Sequence, residues 1–282
     1  MDKKMKLAVI GNPIKHSKSP EIHAEFAKQA GIEISFKKVE VSLENCNEWV
    51  ESFFKEGGKG LSVTLPLKEQ CIKIADEVSE RAKISGAANV LYELNGKIIA
   101  DCTDGTGLIN DLVKNKKIPI KDKNILLIGA GGAARGIIPN FLLEHPKLIT
   151  VANRTFSRAS KLVDELSNTA SLSSKSSILI ASGLNPEELK DLHFDIIINA
   201  TSVSTNPKLN LNLDKSIFKN TSVALDLYYS QAFTPFMESA KDAQVPIVID
   251  GWGMLVEQAA ESFNLWTNVN PDTSNLIAKH GE

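Results

Sequence analysis

Short apolar runs alternate with amphipathic stretches along almost the whole chain. Residues 7–10, 34–39, 60–65, 125–128, 148–152, 196–199, 223–227 and 247–249 read as strands. Several are unbroken apolar runs, the pattern of strands buried on both faces of a parallel sheet. Between them, residues 20–30, 43–54, 106–114, 133–143, 156–166, 234–241 and 254–266 read as helices. Strand then helix, repeated, predicts βαβ units and an α/β fold.

Punctuation places a domain boundary after Asp101-Cys102-Thr103-Asp104-Gly105. A polar stretch follows the next helix, with Lys114, Lys116, Lys117, Lys121 and Lys123, and reads as a solvated connection between domains. Ser171 to Ser177 reads as a surface loop. A chain of 282 residues suits two domains at roughly 100–200 residues each.

Composition narrows the function classes. Hydrophobic residues are 43% and charged residues 23%, so the chain can build a large core. The net charge of −2, from 32 basic and 34 acidic residues, leaves no electrostatic footprint for nucleic acid or an anionic membrane. Three scattered cysteines, Cys46, Cys71 and Cys102, make no disulfide framework and fit a reducing, cytoplasmic setting. The start, Met1-Asp2-Lys3-Lys4-Met5-Lys6, is basic, but the apolar run after it ends at Gly11 and is too short for a secretory signal.

The first chemical signal follows the strand at 125–128. Gly129-Ala130-Gly131-Gly132-Ala133-Ala134 is a G-x-G-x-x-A loop between a strand and a helix. Gly129 permits the tight turn, Gly131 lets the backbone approach a pyrophosphate, and Ala134 keeps the helix close to the strand. Exposed N–H groups at the helix start then face the anion. The next strand ends Asn153-Arg154-Thr155, where an NAD enzyme carries an acid for the ribose 2′-OH. Here no acid stands, and Arg154 and Arg158 can bind a 2′-phosphate through paired N–H groups. The cofactor expected is NADP(H).

Three further patches carry polar residues at strand ends and loops. They are Gly11-Asn12-Pro13-Ile14-Lys15-His16-Ser17-Lys18-Ser19-Pro20-Glu21-Ile22-His23, Ser62-Val63-Thr64-Leu65-Pro66-Leu67-Lys68, and Ala87-Ala88-Asn89 with Asp101-Cys102-Thr103-Asp104-Gly105. Later come Asn199-Ala200-Thr201-Ser202, Asp226-Leu227-Tyr228-Tyr229, and Gly251-Trp252-Gly253-Met254-Leu255-Val256-Glu257-Gln258-Ala259. Ser19 before Pro20 reads as a helix N-cap with proline at the first helical position. His16 and His23 lack partners at metal-ligand spacing, so no metal is expected.

In the order and nearly complete set of these motifs, the chain resembles the shikimate dehydrogenase family. The resemblance implies two α/β domains with a cleft between them. Residues 1–104 plus 252–282 would form the substrate-binding domain, and 105–251 a Rossmann-type NADP-binding domain. It also implies reversible NADPH-linked reduction of 3-dehydroshikimate to shikimate, in aromatic amino acid biosynthesis. Lys68 matches the family's acid/base lysine and Asp104 its paired carboxylate. Ser17 and Ser19 match the hydroxyls that hold the substrate carboxylate. Thr64, Asn89 and Gln258 match positions that bond the ring hydroxyls, Asp104 lies beside them, and Tyr229 matches a tyrosine near the carboxylate. Gly129, Ala130, Gly131, Gly132, Ala133, Asn153, Arg154, Thr155 and Arg158 match the cofactor loop and ribose end. Thr201, Ser202, Leu227 and Gly251 match the nicotinamide end. Glu80 matches a weaker cofactor contact and reads equally as a surface acid.

The chain departs from the family at Ser62, Val90, Cys102 and Trp252, and in Val203-Ser204-Thr205-Asn206, which lacks a usual glycine. Ser62 and Cys102 remove amide donors, which bears on affinity and substrate range and leaves the fold untouched. Two alternatives stay open: a quinate/shikimate paralogue with relaxed cofactor choice, and a non-catalytic NADP-sensing module. The assembly expected is a monomer or homodimer acting on a small molecule.

Overall fold

The computed structural model describes residues 4–169, 177–205, 211, 213–230 and 232–279. The serine-rich loop expected at 171–177 therefore lies outside the described residues but for Ser177, as does Asn206. The chain divides into two compact units, one running to Leu108 and resuming at Leu255–Lys279, the other spanning Ile109–Met254.

In the first unit six strands form one sheet: β1 (Met5–Gly11), β2 (Ile34–Glu40), β3 (Gly58–Val63), β4 (Glu77–Val78), β5 (Val90–Leu94) and β6 (Lys97–Asp101). Their order is β2-β1-β3-β5-β6-β4. The sheet is mixed: β5, a strand that the hydrophobic pattern did not single out, runs antiparallel to both β3 and β6. The cause is local: Asn95 and Gly96 both take positive φ, 53° and 78°, and close a two-residue hairpin. The helix Cys46–Lys55 buries Cys46, Val50 and Phe53 on one stripe. It begins later than expected, and Leu43 is left half exposed in the turn before it. A second core is aromatic. His23 lies between Phe36 and Trp266, with ring centroids 4.9 and 4.8 Å away, and Phe26 and Phe263 complete the cluster. The last two aromatics, Phe263 and Trp266, come from the helix Trp252–Thr267 near the chain's end.

In the second unit the strands are β7 (Asn124–Ile128), β8 (Leu148–Asn153), β9 (Ile178–Gly183), β10 (Ile196–Asn199), β11 (Val223–Asp226) and β12 (Ile247–Ile249). All pairs are parallel, in the order β12-β11-β10-β7-β8-β9. This is the doubly wound order, whose direction of winding switches between β7 and β10. Ile125–Ile128 and Ile196–Ile198 are buried throughout, as double-sided burial requires.

The helix expected over 106–114 starts earlier, at Asp104, and continues past Ile109 as a π-helical stretch, Asn110–Asn115. The lysine-rich stretch after it falls inside the second unit, with Ile118 and Ile120 buried between exposed lysines. It is part of that unit, and the division between the two falls earlier, after Leu108.

Candidate functional site

The first constellation stands where β3 and β6 end. The helix Lys68–Ile74 opens at Lys68, and the helix Asp104–Ile109 opens at Asp104. Lys68 Nζ donates to Asp104 Oδ2 at 2.5 Å, with the lysine side chain 21% and the carboxylate 10% exposed. Burial pushes the Lys68 ammonium down. The charge and hydrogen bond of Asp104 more than offset this and leave it above the ordinary lysine range. Burial also pushes the neighbouring Cys102 thiol up to about 11, so it is a neutral thiol near pH 7.

Asn89, buried immediately before β5, binds this pair from the side. Its Nδ2 donates to Asp104 Oδ1 at 2.8 Å and to Thr103 Oγ1 and Gln258 Oε1, each at 2.9 Å. Its Oδ1 accepts from the Thr103 N–H at 2.8 Å. Thr103 Oγ1 also bonds the Gln258 carbonyl at 3.0 Å, which ties the C-terminal helix to the same cluster. Lys68, Asp104, Asn89 and Gln258, widely spaced in sequence, thus form one connected group within the first unit.

Ser17 and Ser19 are mutual neighbours: Ser17 Oγ donates to Ser19 Oγ at 3.2 Å and accepts from the Ser19 N–H at 3.3 Å. The expected cap is corrected by one residue. Lys18 stands at the N-cap, and Ser19 and Pro20 are the first two helical residues. The Ile22 N–H already bonds the Lys18 carbonyl, and the Ser17 hydroxyl takes the Ser19 N–H that the helix leaves over. Thr64 is half buried, and its hydroxyl makes no hydrogen bond among the described residues.

The second constellation belongs to the second unit. Gly129 has φ +110°, and a Cβ there would lie 3.0 Å from Thr201 Cγ2 and 3.2 Å from the Ala200 backbone. Glycine is thus required by both conformation and the loop after β10. At Gly131 and Gly132 a Cβ would meet nothing within 4 Å, so these glycines face open space. The helix Gly132–Leu143 has no side-chain cap, and its first N–H groups are left for an anion. Ala130 and Ala133 lie in the same loop and first turn. Beyond β8, Asn153 Nδ2 donates to the Thr155 carbonyl at 2.9 Å and folds the strand end over. Arg154, Thr155 and Arg158 are exposed there, and neither arginine has an acidic partner among the described residues. An open glycine cradle, an uncapped helix start and two unpaired guanidiniums fit a dinucleotide carrying an additional phosphate.

After β10 and β11 lies a buried polar network that sequence reasoning missed as a unit. Thr201 Oγ1 donates to Asn199 Oδ1 at 2.7 Å, and Asn199 Nδ2 donates to Ser204 Oγ at 3.0 Å. Ser204 and Thr234 hydroxyls donate to the wholly buried Asp226 carboxylate at 2.5 and 2.7 Å. The signal was present in Asn199 and Asp226, polar residues at the C-terminal ends of apolar strands. Gly251 packs on Leu227 so closely that a Cβ would lie 2.1 Å from its carbonyl oxygen. Ser202 is exposed beside this network. Tyr229 lies between Tyr228 and Trp252, with ring centroids 6.0 and 5.9 Å away. Glu80, by contrast, is exposed at the start of the helix Glu80–Ser85 in the first unit and joins neither constellation.

Sequence reasoning gave no role to Arg81, and quoted Asp101 only as part of a polar patch. Arg81 grips the Asp101 carboxylate with two parallel bonds, Nε to Oδ1 at 2.6 Å and Nη2 to Oδ2 at 2.8 Å. Three of the departures noted in the sequence gather here too. Ser62 pairs with Val90 across β3 and β5, Val90 pairs with Asp101, and Cys102 follows.

Comparison with known proteins places names beside this geometry. Residues 9–91 match the model for the shikimate dehydrogenase substrate binding domain, 111–227 that for shikimate/quinate 5-dehydrogenase, and 251–277 that for the shikimate 5′-dehydrogenase C-terminal domain. A shikimate dehydrogenase (NADP(+)) of Colwellia psychrerythraea is 44% identical over 271 residues, covering 96% of this chain and 94% of its own. The crystal structure of an Ael1 enzyme from Pseudomonas putida superposes with a TM-score of 0.88 at 37% identity, covering 99% of each chain. A shikimate 5-dehydrogenase from Thermus thermophilus, solved with NADP(H) and shikimate, superposes with a TM-score of 0.84 at 30% identity, covering 97% of each.

Proposed function

The chain belongs to the shikimate dehydrogenase family, and on that premise we propose that it catalyses the reversible NADPH-linked reduction of 3-dehydroshikimate to shikimate. The observation that carries this reading is the 2.5 Å pair of Lys68 and Asp104, half enclosed and joined to Asn89 and Gln258. Bound NADPH supplies the hydride. As the ketone oxygen gains negative charge, Lys68 stabilises it and passes it a proton from Nζ. Asp104, bonded to Nζ, holds the lysine charged until that moment; the neutral amine is then reprotonated from solvent. In the oxidation of shikimate Lys68 works in reverse, as the base.

Ser17 and Ser19 supply hydroxyls for the substrate carboxylate, with Tyr229 serving the same group. Thr64, Asn89, Asp104 and Gln258 bond the ring hydroxyls. Gly129, Ala130, Gly131, Gly132 and Ala133 receive the pyrophosphate. Asn153, Arg154, Thr155 and Arg158 receive the 2′-phosphorylated ribose. Thr201, Ser202, Leu227 and Gly251 border the nicotinamide, with Glu80 a weaker contact. In this reading residues 1–104 plus 252–282 form the substrate-binding domain and 105–251 the NADP-binding domain. The enzyme works in the cytoplasm as a monomer or homodimer; among the described residues no helix is long and apolar enough to cross a membrane.

The test is direct. Purified protein is mixed with shikimate and NADP, and NADPH absorbance is followed, with NAD and quinate in parallel. A rise confined to shikimate with NADP supports the reading. No rise from folded protein that binds NADPH overturns it. A second reading, a paralogue that also accepts quinate, draws on the contiguous Ser62, Val90 and Cys102, and predicts a rise with quinate.

A further inference from the structure

We propose that Arg81 is a positioning residue that holds Asp104 against Lys68 and Gln258 against Asn89. The inference rests on the functional reading above. Arg81 lies on the short helix Glu80–Ser85, outside every motif that carries that reading. Its guanidinium nevertheless reaches three segments, and each bears a residue of the site.

The first segment is the end of β6. Arg81 binds the Asp101 carboxylate through its fork, at 2.6 and 2.8 Å. Asp101 Oδ1 also accepts from Ser79 Oγ at 2.5 Å and from the Cys102 N–H at 2.7 Å. That carboxylate is only 6% exposed, so its charge is held by this fork. Two residues on from Cys102 stands Asp104. The second segment is the helix that Asp104 opens, where Arg81 Nη1 donates to Thr106 Oγ1 at 3.2 Å. Asp104 is thus pinned from both sides in sequence. The third segment is the C-terminal helix, where the same Nη1 donates to Glu261 Oε1 at 3.0 Å. Glu261 lies three residues from Gln258, on the same face of that helix.

Lys68 is held differently. Its carbonyl accepts from the Ala88 N–H at 2.9 Å, and its helix makes no bond to Arg81. Loss of the Arg81 fork therefore moves Asp104 and leaves Lys68 in place. The charged and titratable groups around the network are Asp101, Glu261 and, more distantly, Tyr92 about Arg81, and Asp104 and Cys102 about Lys68. A lysine at 81 keeps the charge but cannot reproduce two parallel bonds and a third arm.

The experiment uses the full chain with Arg81→Lys and, as a milder variant, Glu261→Gln. For Arg81→Lys, kcat falls about 10- to 100-fold, as expected when a reacting group shifts by about 1 Å, while NADP binding is unchanged. The limb of the pH profile that reports Lys68 moves to lower pH, because burial remains while the Asp104 charge recedes. Glu261→Gln raises the shikimate KM about 2- to 10-fold with kcat unchanged. A wild-type kcat in Arg81→Lys overturns the proposal. So does a fall in kcat with an unmoved pH limb and a lowered Tm, the mark of a purely structural residue. Should Arg81→Lys fail to fold, an unchanged shikimate KM in Glu261→Gln overturns it. The pH dependence of Lys68 acylation, followed by mass spectrometry of its peptide, reads the same shift without turnover. An inactive wild type therefore refutes the functional reading and still leaves the Arg81 result decisive.

Discussion

The two constellations handle polar groups in opposite ways. In the first, Lys68, Asp104, Asn89, Thr103 and Gln258 are sheltered and bonded to one another before any ligand arrives. In the second, Arg154, Arg158 and the glycine cradle are exposed, and among the described residues the arginines have no acidic partner. The difference suits the tasks proposed for them. Proton transfer needs a fixed geometry and a tuned basicity, which low-dielectric surroundings and internal bonds provide. Capture of a polyanion needs unspent donors and positive charge that water can reach.

Lys68→Ala is the sharpest way to break that contrast. It should cost about 10²–10⁴ in kcat while NADPH affinity, read by fluorescence titration, stays at the wild-type value. A parallel loss of NADPH binding would show that the two regions are not separable in this way.

His23 is the weak point of the sheltered region. Both ring nitrogens are buried without a hydrogen-bond partner, and burial lowers its pKa to about 3. The unfolded chain takes up a proton as pH falls through about 6.5, and the folded chain does not until near 3. Stability is therefore intact above 6.5 and drains between 6.5 and 3, by about 5 kcal/mol. Unfolding free energies from denaturant melts should fall with pH across this range more steeply for wild type than for His23→Leu, by up to about 1.4 kcal/mol per pH unit. Equal slopes would mean that His23 finds a proton acceptor when charged.

In the open region, Arg154→Ala should weaken NADP binding about 10- to 100-fold and leave NAD binding unchanged. Its salt dependence should shrink as well. Equal effects on both dinucleotides would detach Arg154 from the 2′-phosphate. The smallest and most discriminating pair is Gly129→Ala and Gly131→Ala. The first adds a Cβ at φ +110° against Thr201 and should cost about 1–3 kcal/mol of stability. The second meets no protein atom, so its Tm should match wild type while NADP affinity drops.

The same contrast explains what could be read from the sequence. The open region was legible because its chemistry is local: β7, the glycine loop and the helix after it are consecutive, as are β8 and Asn153-Arg154-Thr155. In the sheltered region Lys68, Asp104, Asn89 and Gln258 were found only through a family resemblance. Nothing in their spacing says that β5 turns antiparallel and brings Asn89 alongside Asp104. The Asn95-Gly96 pair was a readable hairpin signal that the strand pattern passed over. Arg81 was not readable at all, since a lone arginine on a short helix looks like any solvated charge until Asp101 and Glu261 converge on it. The π-helical stretch at Asn110–Asn115 and the one-residue shift at Ser19 are matters of backbone hydrogen bonding that side-chain patterns do not encode.

The interrupted first unit sets the order in which the molecule can be made. Residues up to Leu108 leave the ribosome before the second unit, but their aromatic core lacks Phe263 and Trp266, and Arg81 lacks Glu261, until the helix Trp252–Thr267 has emerged. The second unit is a single stretch, Ile109–Met254, and holds all six of its strands before that helix is synthesised. The half begun first is therefore finished last, and a nascent chain stalled near its end carries a complete second unit and an incomplete first one.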